Sequence, residues 1–83
     1  MQQSEIRETT NAVLRDTLTR FKSEYDASTL TGKEMLKTMG LDSLDVMEII
    51  MGVEERVGVR IPSSKIHDIH RLEDIYLLFE EAA

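Results

Sequence analysis

Gly40-Leu41-Asp42-Ser43-Leu44, near the middle of the chain, reads as a turn that hands one serine to the start of an amphipathic helix. Gly40 accepts the positive φ that a tight turn or helix stop requires, without a Cβ penalty. Asp42 and Ser43 both favour the beginning of a helix, because their side-chain oxygens accept bonds from the unpaired N–H groups of its first turn. A hydroxyl here stands exposed on a rigid element at the positive end of a helix, which favours an attached anionic group.

Working outward towards the C-terminus, Val46, Ile49, Ile50, Val53 and Val57 follow the spacing of one buried helical stripe. Leu44, Met47 and Met51 form a second apolar ridge, bordered by Asp45, Glu48, Glu54 and Glu55. Spacing alone leaves this ridge open as core or as a docking face, although methionine adapts well to differently shaped partners. Gly58 and Pro62 stop the helix. Val59 and Ile61 then belong to an extended connector tucked into the core. Ser63 or Ser64 starts a single helical turn to about Asp68, with Ile66 and Ile69 inward. A last helix runs from His70 or Arg71 to about Ala82. It buries Leu72, Ile75 and Phe79, with Tyr76 and Leu78 beside them and Glu73 and Asp74 in its first turn.

Towards the N-terminus, residues 22–42 form a connection longer than ordinary helix–helix turns. Thr31 and Glu34 have capping-box spacing, which predicts a short helix that turns Met35, Leu36 and Met39 inward before Gly40. Leu30 and Tyr25 are further anchors. Before the connection, Ile6, Thr10, Val13, Leu14, Leu18 and Phe21 recur at helical steps, opposite Arg7, Glu8, Asp16 and Arg20. This predicts a helix over 4–21 with Ser4 as its N-cap. The expected fold is all-α: three longer helices and one short, with a long loop between the first two, in a single domain over 1–83.

The chain has 83 residues, 16 acids against 10 bases, a net charge of −6 and no cysteine. The absence of cysteine excludes disulfides and thiolate metal sites. The acidity argues against nucleic acid or an anionic membrane as partner and favours proteins that present basic patches. No apolar run suits a signal peptide or membrane span, so a cytoplasmic protein is expected.

Catalytic readings find little support. His67 and His70 share i, i+3 spacing, yet lack the further ligands of a metal centre, and a solvated pair is expected. Ser43 as a nucleophile would need an oxyanion hole and a substrate cleft, and a domain this small is expected to lack a ligand pocket of ~300 Å³ or more. No glycine-rich phosphate loop is present. The acids along the serine-led helix read as a solvated face.

Gly40-Leu41-Asp42-Ser43-Leu44-Asp45, the acidic amphipathic helix after it, and the closing Gly58-Val59-Arg60-Ile61-Pro62 together resemble an acyl carrier protein. The resemblance spans essentially the whole chain and implies a four-helix acyl-carrier bundle that acts as a non-catalytic carrier. It implies that Ser43 carries a covalent 4′-phosphopantetheine arm, transferred from coenzyme A by a phosphopantetheinyl transferase using Mg²⁺. It also implies that the arm's thiol holds acyl groups as thioesters for synthase, acyltransferase and tailoring enzymes. Asp42, Leu44, Asp45, Met47, Glu48 and Met51 match the family's partner-recognition surface, with Glu54 and Glu55 continuing its acidic border. That match tips the ridge towards docking and implies a monomer that meets basic patches.

Some positions depart from the fatty-acid carriers of the family. Lys37-Thr38-Met39 replaces the usual acidic and leucine approach to the glycine. Gly52 interrupts the second helix at ~1 kcal/mol relative to Ala. Arg56 stands where acids are frequent, and His70 and Arg71 replace a threonine-rich approach to the last helix. These departures lean towards a discrete carrier of a polyketide or other specialised pathway. An aminoacyl or peptidyl carrier, and an unmodified helical adaptor, are the alternatives.

Overall fold

A computed structural model of the chain describes residues 2–20 and 30–82. Its helices are α1 (Gln3–Arg20), α2 (Ser43–Val57), a short 3₁₀ helix (Ser63–Asp68) and α3 (Leu72–Ala82). This is the expected arrangement of three longer helices and one short, with the long connection after the first. Phe21 and Tyr25 lie outside the described residues.

Helix α1 starts one residue earlier than its sequence predicts. The Gln2 carbonyl accepts bonds from the N–H groups of Glu5 and Ile6, both at 3.1 Å, so Ser4 lies inside the first turn and is not the N-cap. Ile6, Val13, Leu14 and Leu18 are buried as their spacing requires. Thr10 and Thr17 are buried with them. Each hydroxyl donates to the carbonyl one turn back, Ile6 at 2.8 Å and Val13 at 2.9 Å, and so avoids the cost of an unpaired buried polar group.

Helices α1 and α2 pack closely at Gly52. A Cβ at that position would lie 3.0 Å from Val13 Cγ1. The glycine therefore does not interrupt α2, which runs unbroken through it; its missing side chain lets the two helices approach. Val46, Ile49, Ile50 and Val53 form the buried stripe of α2, and Leu72, Ile75, Tyr76 and Phe79 that of α3.

The short helix expected before Gly40 is instead a run of turns. Thr38, Met39 and Gly40 each donate their N–H to the carbonyl three residues back, at 3.0–3.1 Å. Leu36 and Met39 are buried, but Met35 lies on the surface and forms an isolated antiparallel bridge with Arg71. Only half of the Thr31–Glu34 capping box forms. The Glu34 carboxylate accepts the Thr31 and Gly32 N–H groups, both at 2.7 Å, whereas the Thr31 hydroxyl accepts from Lys33 at 3.3 Å.

These turns are laced to the start of α3. Leu36 N–H donates to the His70 carbonyl at 2.9 Å, Leu72 N–H to Glu34 at 3.0 Å, and Glu73 N–H to Gly32 at 2.7 Å. Asp74 accepts the N–H groups of His70 and Arg71, each at 2.9 Å. The connection thus satisfies donors that a helix start leaves unpaired, and α3 in turn fixes the approach to Gly40.

Candidate functional site

The Ser43 site is built from the backbone up. Gly40 adopts φ +82, turning the chain sharply after Met39. Leu41 follows as a buried anchor, and Asp42 is the N-cap of α2 in extended conformation. Its carboxylate accepts the Asp45 N–H at 2.9 Å, while Asp45 accepts the Asp42 N–H at 3.0 Å. This reciprocal capping box holds the first turn rigid. Ser43 is the first helical residue, and it is exposed. Leu41 on one side and Val46 on the other are buried, so the serine stands on a fixed base at the positive end of the helix.

The second ridge of α2 lies on the surface. Leu44, Met47 and Met51 are 73%, 41% and 60% exposed, so they are not core residues. The acids around the ridge make bonds within the chain. Besides the Asp42–Asp45 box, Glu48 Oε1 lies 3.0 Å from Arg20 Nη1, and Glu54 accepts the Ile61 N–H at 2.7 Å. Glu55 is exposed beside them. Sequence reasoning did not anticipate the Arg20–Glu48 pair, because nothing in α1 indicates which residue its last turn meets.

Next to Ser43 is a cavity of about 460 Å³. The structure therefore corrects the expectation that the domain is too small for one, since small-molecule pockets span ~300–1,000 Å³. Leu36, Leu41, Val46, Ile66 and Ile69 contribute apolar walls, and Ser43 itself lines the cavity. Lys37, His67 and His70 also line it. Ile66 and Ile69 are only half-buried because they border this space rather than a closed core. The i, i+3 spacing of His67 and His70 was the one available signal, and it marks the edge of a groove.

Among the described residues, no group of three or more His, Cys, Asp or Glu residues is placed to hold a metal ion, and no helix is long and apolar enough to cross a membrane. What the site presents is one exposed hydroxyl on a capped helix, beside an apolar ridge and a groove that share Met47.

A family model described as "Phosphopantetheine attachment site" matches residues 22–78. The acyl carrier protein of Helicobacter pylori strain G27 is 40% identical over 57 residues, covering 68% of this chain and 73% of that protein. Across several such matches, the chain spans between 41% and 73% of the length of the curated relatives. The crystal structure of an acyl carrier protein from Thermotoga maritima superimposes with a TM-score of 0.68 over 89% of each chain at 21% identity, a likeness of fold. The solution structure of the acetyl actinorhodin acyl carrier protein from Streptomyces coelicolor gives 0.62 over 87% of each chain at 28% identity. The chain belongs to the acyl carrier protein family. Members are non-catalytic carriers whose cofactor is a covalently attached 4′-phosphopantetheine.

Proposed function

We propose that residues 1–83 act as one cytoplasmic, monomeric acyl-carrier domain whose 4′-phosphopantetheine is attached at Ser43. The observation that carries this reading is the exposed serine at the first position of α2, beside the reciprocal Asp42–Asp45 cap. In the attachment step, Ser43 Oγ bonds to the phosphorus of coenzyme A that bears the pantetheine. The phosphoanhydride bond to the nucleotide breaks, 3′,5′-ADP leaves with the electron pair, and the hydroxyl proton passes to a base of the transferase. The helix N-terminus then stabilises the resulting phosphodiester. The arm's terminal thiol supplies the chemistry the polypeptide lacks, holding acyl groups as thioesters.

The partners proposed are a phosphopantetheinyl transferase and the synthase, acyltransferase and tailoring enzymes that use the cargo. They meet the face of Asp42, Leu44, Asp45, Met47, Glu48, Met51, Glu54 and Glu55 through basic patches. Exposed apolar side chains supply contact, and the acids steer encounter. The pathway proposed is polyketide or other specialised biosynthesis. Lys37, Arg56, His70 and Arg71 support it, as does the likeness to the actinorhodin carrier. Incubating the protein with coenzyme A, Mg²⁺ and a broad-specificity transferase should add one phosphopantetheine mass, and Ser43→Ala should abolish the addition. An unchanged wild-type mass with several transferases would favour an unmodified adaptor instead.

A further inference from the structure

We infer that Lys37, His67 and His70 determine the polarity of the cargo, favouring acyl chains with an anionic distal end over plain hydrocarbon chains. The inference rests on the attachment reading above, because cargo reaches this groove only if it is tethered at Ser43. The groove shares Ser43 with the attachment site, and its volume of about 460 Å³ accommodates a small tethered group. Its walls are apolar, from Leu41, Val46, Ile66 and Ile69.

The groove does not share the acidity of the chain, because Lys37 offsets its single lining acid, Asp42. The whole sequence carries −6, yet the groove is bordered by a lysine and two histidines against a single lining acid, Asp42. That acid is engaged, accepting the Asp45 N–H at 2.9 Å. Lys37, His67 and His70 are all exposed at the border and not sunk into the walls. Lys37 provides a fixed positive charge and the imidazoles provide N–H donors, so a carboxylate emerging from an apolar channel finds charge-assisted partners. A hydrocarbon end gains nothing from them and leaves their hydration unchanged. Lys37 comes from the loop before α2, whereas His67, in the 3₁₀ helix, and His70 come from the segment between α2 and α3. The backbone bond between Leu36 and His70, at 2.9 Å, ties those two segments together.

The experiment loads the full chain, through the transferase, from coenzyme A, hexanoyl-coenzyme A and adipoyl-coenzyme A, which differ only in the arm's tip. Amide shifts of the groove residues are measured against the coenzyme A-loaded form. Adipoyl cargo should raise the groove-bound population about two- to fivefold over hexanoyl, the factor an exposed ion pair supplies. The triple variant Lys37→Ala/His67→Ala/His70→Ala should remove that difference, and Lys37→Glu should favour hexanoyl. Loading shown by mass without any difference between the two cargoes overturns the inference and leaves the attachment reading intact. Rim variants that change the coenzyme A-loaded form as strongly as the adipoyl form also overturn it, because the rim then reads the arm's phosphodiester. Failure to load at all overturns the attachment reading itself.

Discussion

Arg20, in the last turn of α1, places Nη1 3.0 Å from Glu48 Oε1 on the exposed side of α2, with its Nε 3.9 Å from Asp16. One acid of the proposed docking face therefore meets a positive charge from its own chain before any partner arrives. Both side chains are about half exposed, so the pair adds at most ~1 kcal/mol to stability. Its larger effect is on the field that an approaching basic patch experiences. Arg20→Ala should leave stability within ~1 kcal/mol and raise the association rate with a phosphopantetheinyl transferase at low salt, with the two rates converging as salt screens the charges. Stopped-flow binding across a salt series reads this, and an unchanged low-salt rate would remove Glu48 from the docking face.

Gly52 and Val13 make a second relationship testable. By helix propensity alone, Gly52→Ala should stabilise by ~1 kcal/mol. The added Cβ would meet Val13 Cγ1 at 3.0 Å, and overpacking costs typically ~1–3 kcal/mol. The single variant should therefore be neutral to destabilising. Adding Val13→Ala relieves the contact, and a double-mutant cycle by urea denaturation should give a favourable coupling of at least ~0.5 kcal/mol. A Gly52→Ala protein stabilised by the full propensity gain would show that the helices have room to spare.

The cap beneath the serine has its own cost. Asp42→Ala loses the bond to Asp45 N–H and should destabilise the domain by ~1 kcal/mol. Asp42→Asn keeps an acceptor and should recover most of that loss. Thermal unfolding of the three proteins ranks them. Equal losses for Ala and Asn would assign the effect to charge rather than to capping.

Glu34 gives the acid limb of stability a named contributor. Burial alone raises its pKa, but the N–H bonds from Thr31, Gly32 and its own backbone outweigh that and hold it below the ordinary value of 4.5. A depressed carboxyl stabilises the fold above its unfolded pKa and loses that contribution as pH falls through the folded value. The stability gap between wild type and Glu34→Gln should be constant near neutrality and close progressively below about pH 4. A gap independent of pH would mean that the carboxylate's charge plays no part in pinning the loop.

The parts of this architecture legible in the sequence are those set by local chemistry. The stripe of α2 follows from its spacing, the stop at Gly58 from glycine's freedom to take a positive φ, 79 in the structure, and the exposed serine from its neighbours. The extended connector is also as expected at Ile61, which is buried, while Val59 is only partly buried against the core. Contacts between distant segments were not legible. Met35 looked like a core residue by spacing, but pairing with Arg71 turns it outward. Ser4 had the right chemistry for a cap, yet helical bonding begins at the Gln2 carbonyl. The groove beside Ser43 arises where the loop, α2 and the 3₁₀ helix leave a gap, which no single segment encodes.

Attachment at Ser43 is the centre of the account, and intact-protein mass spectrometry with fragmentation tests it most directly. After incubation with coenzyme A, Mg²⁺ and a phosphopantetheinyl transferase, the wild-type protein should gain one phosphopantetheine group localised to the Asp42–Leu44 fragment, while folded Ser43→Ala gains none. Modification at any other residue, or an equal gain by Ser43→Ala, would contradict it.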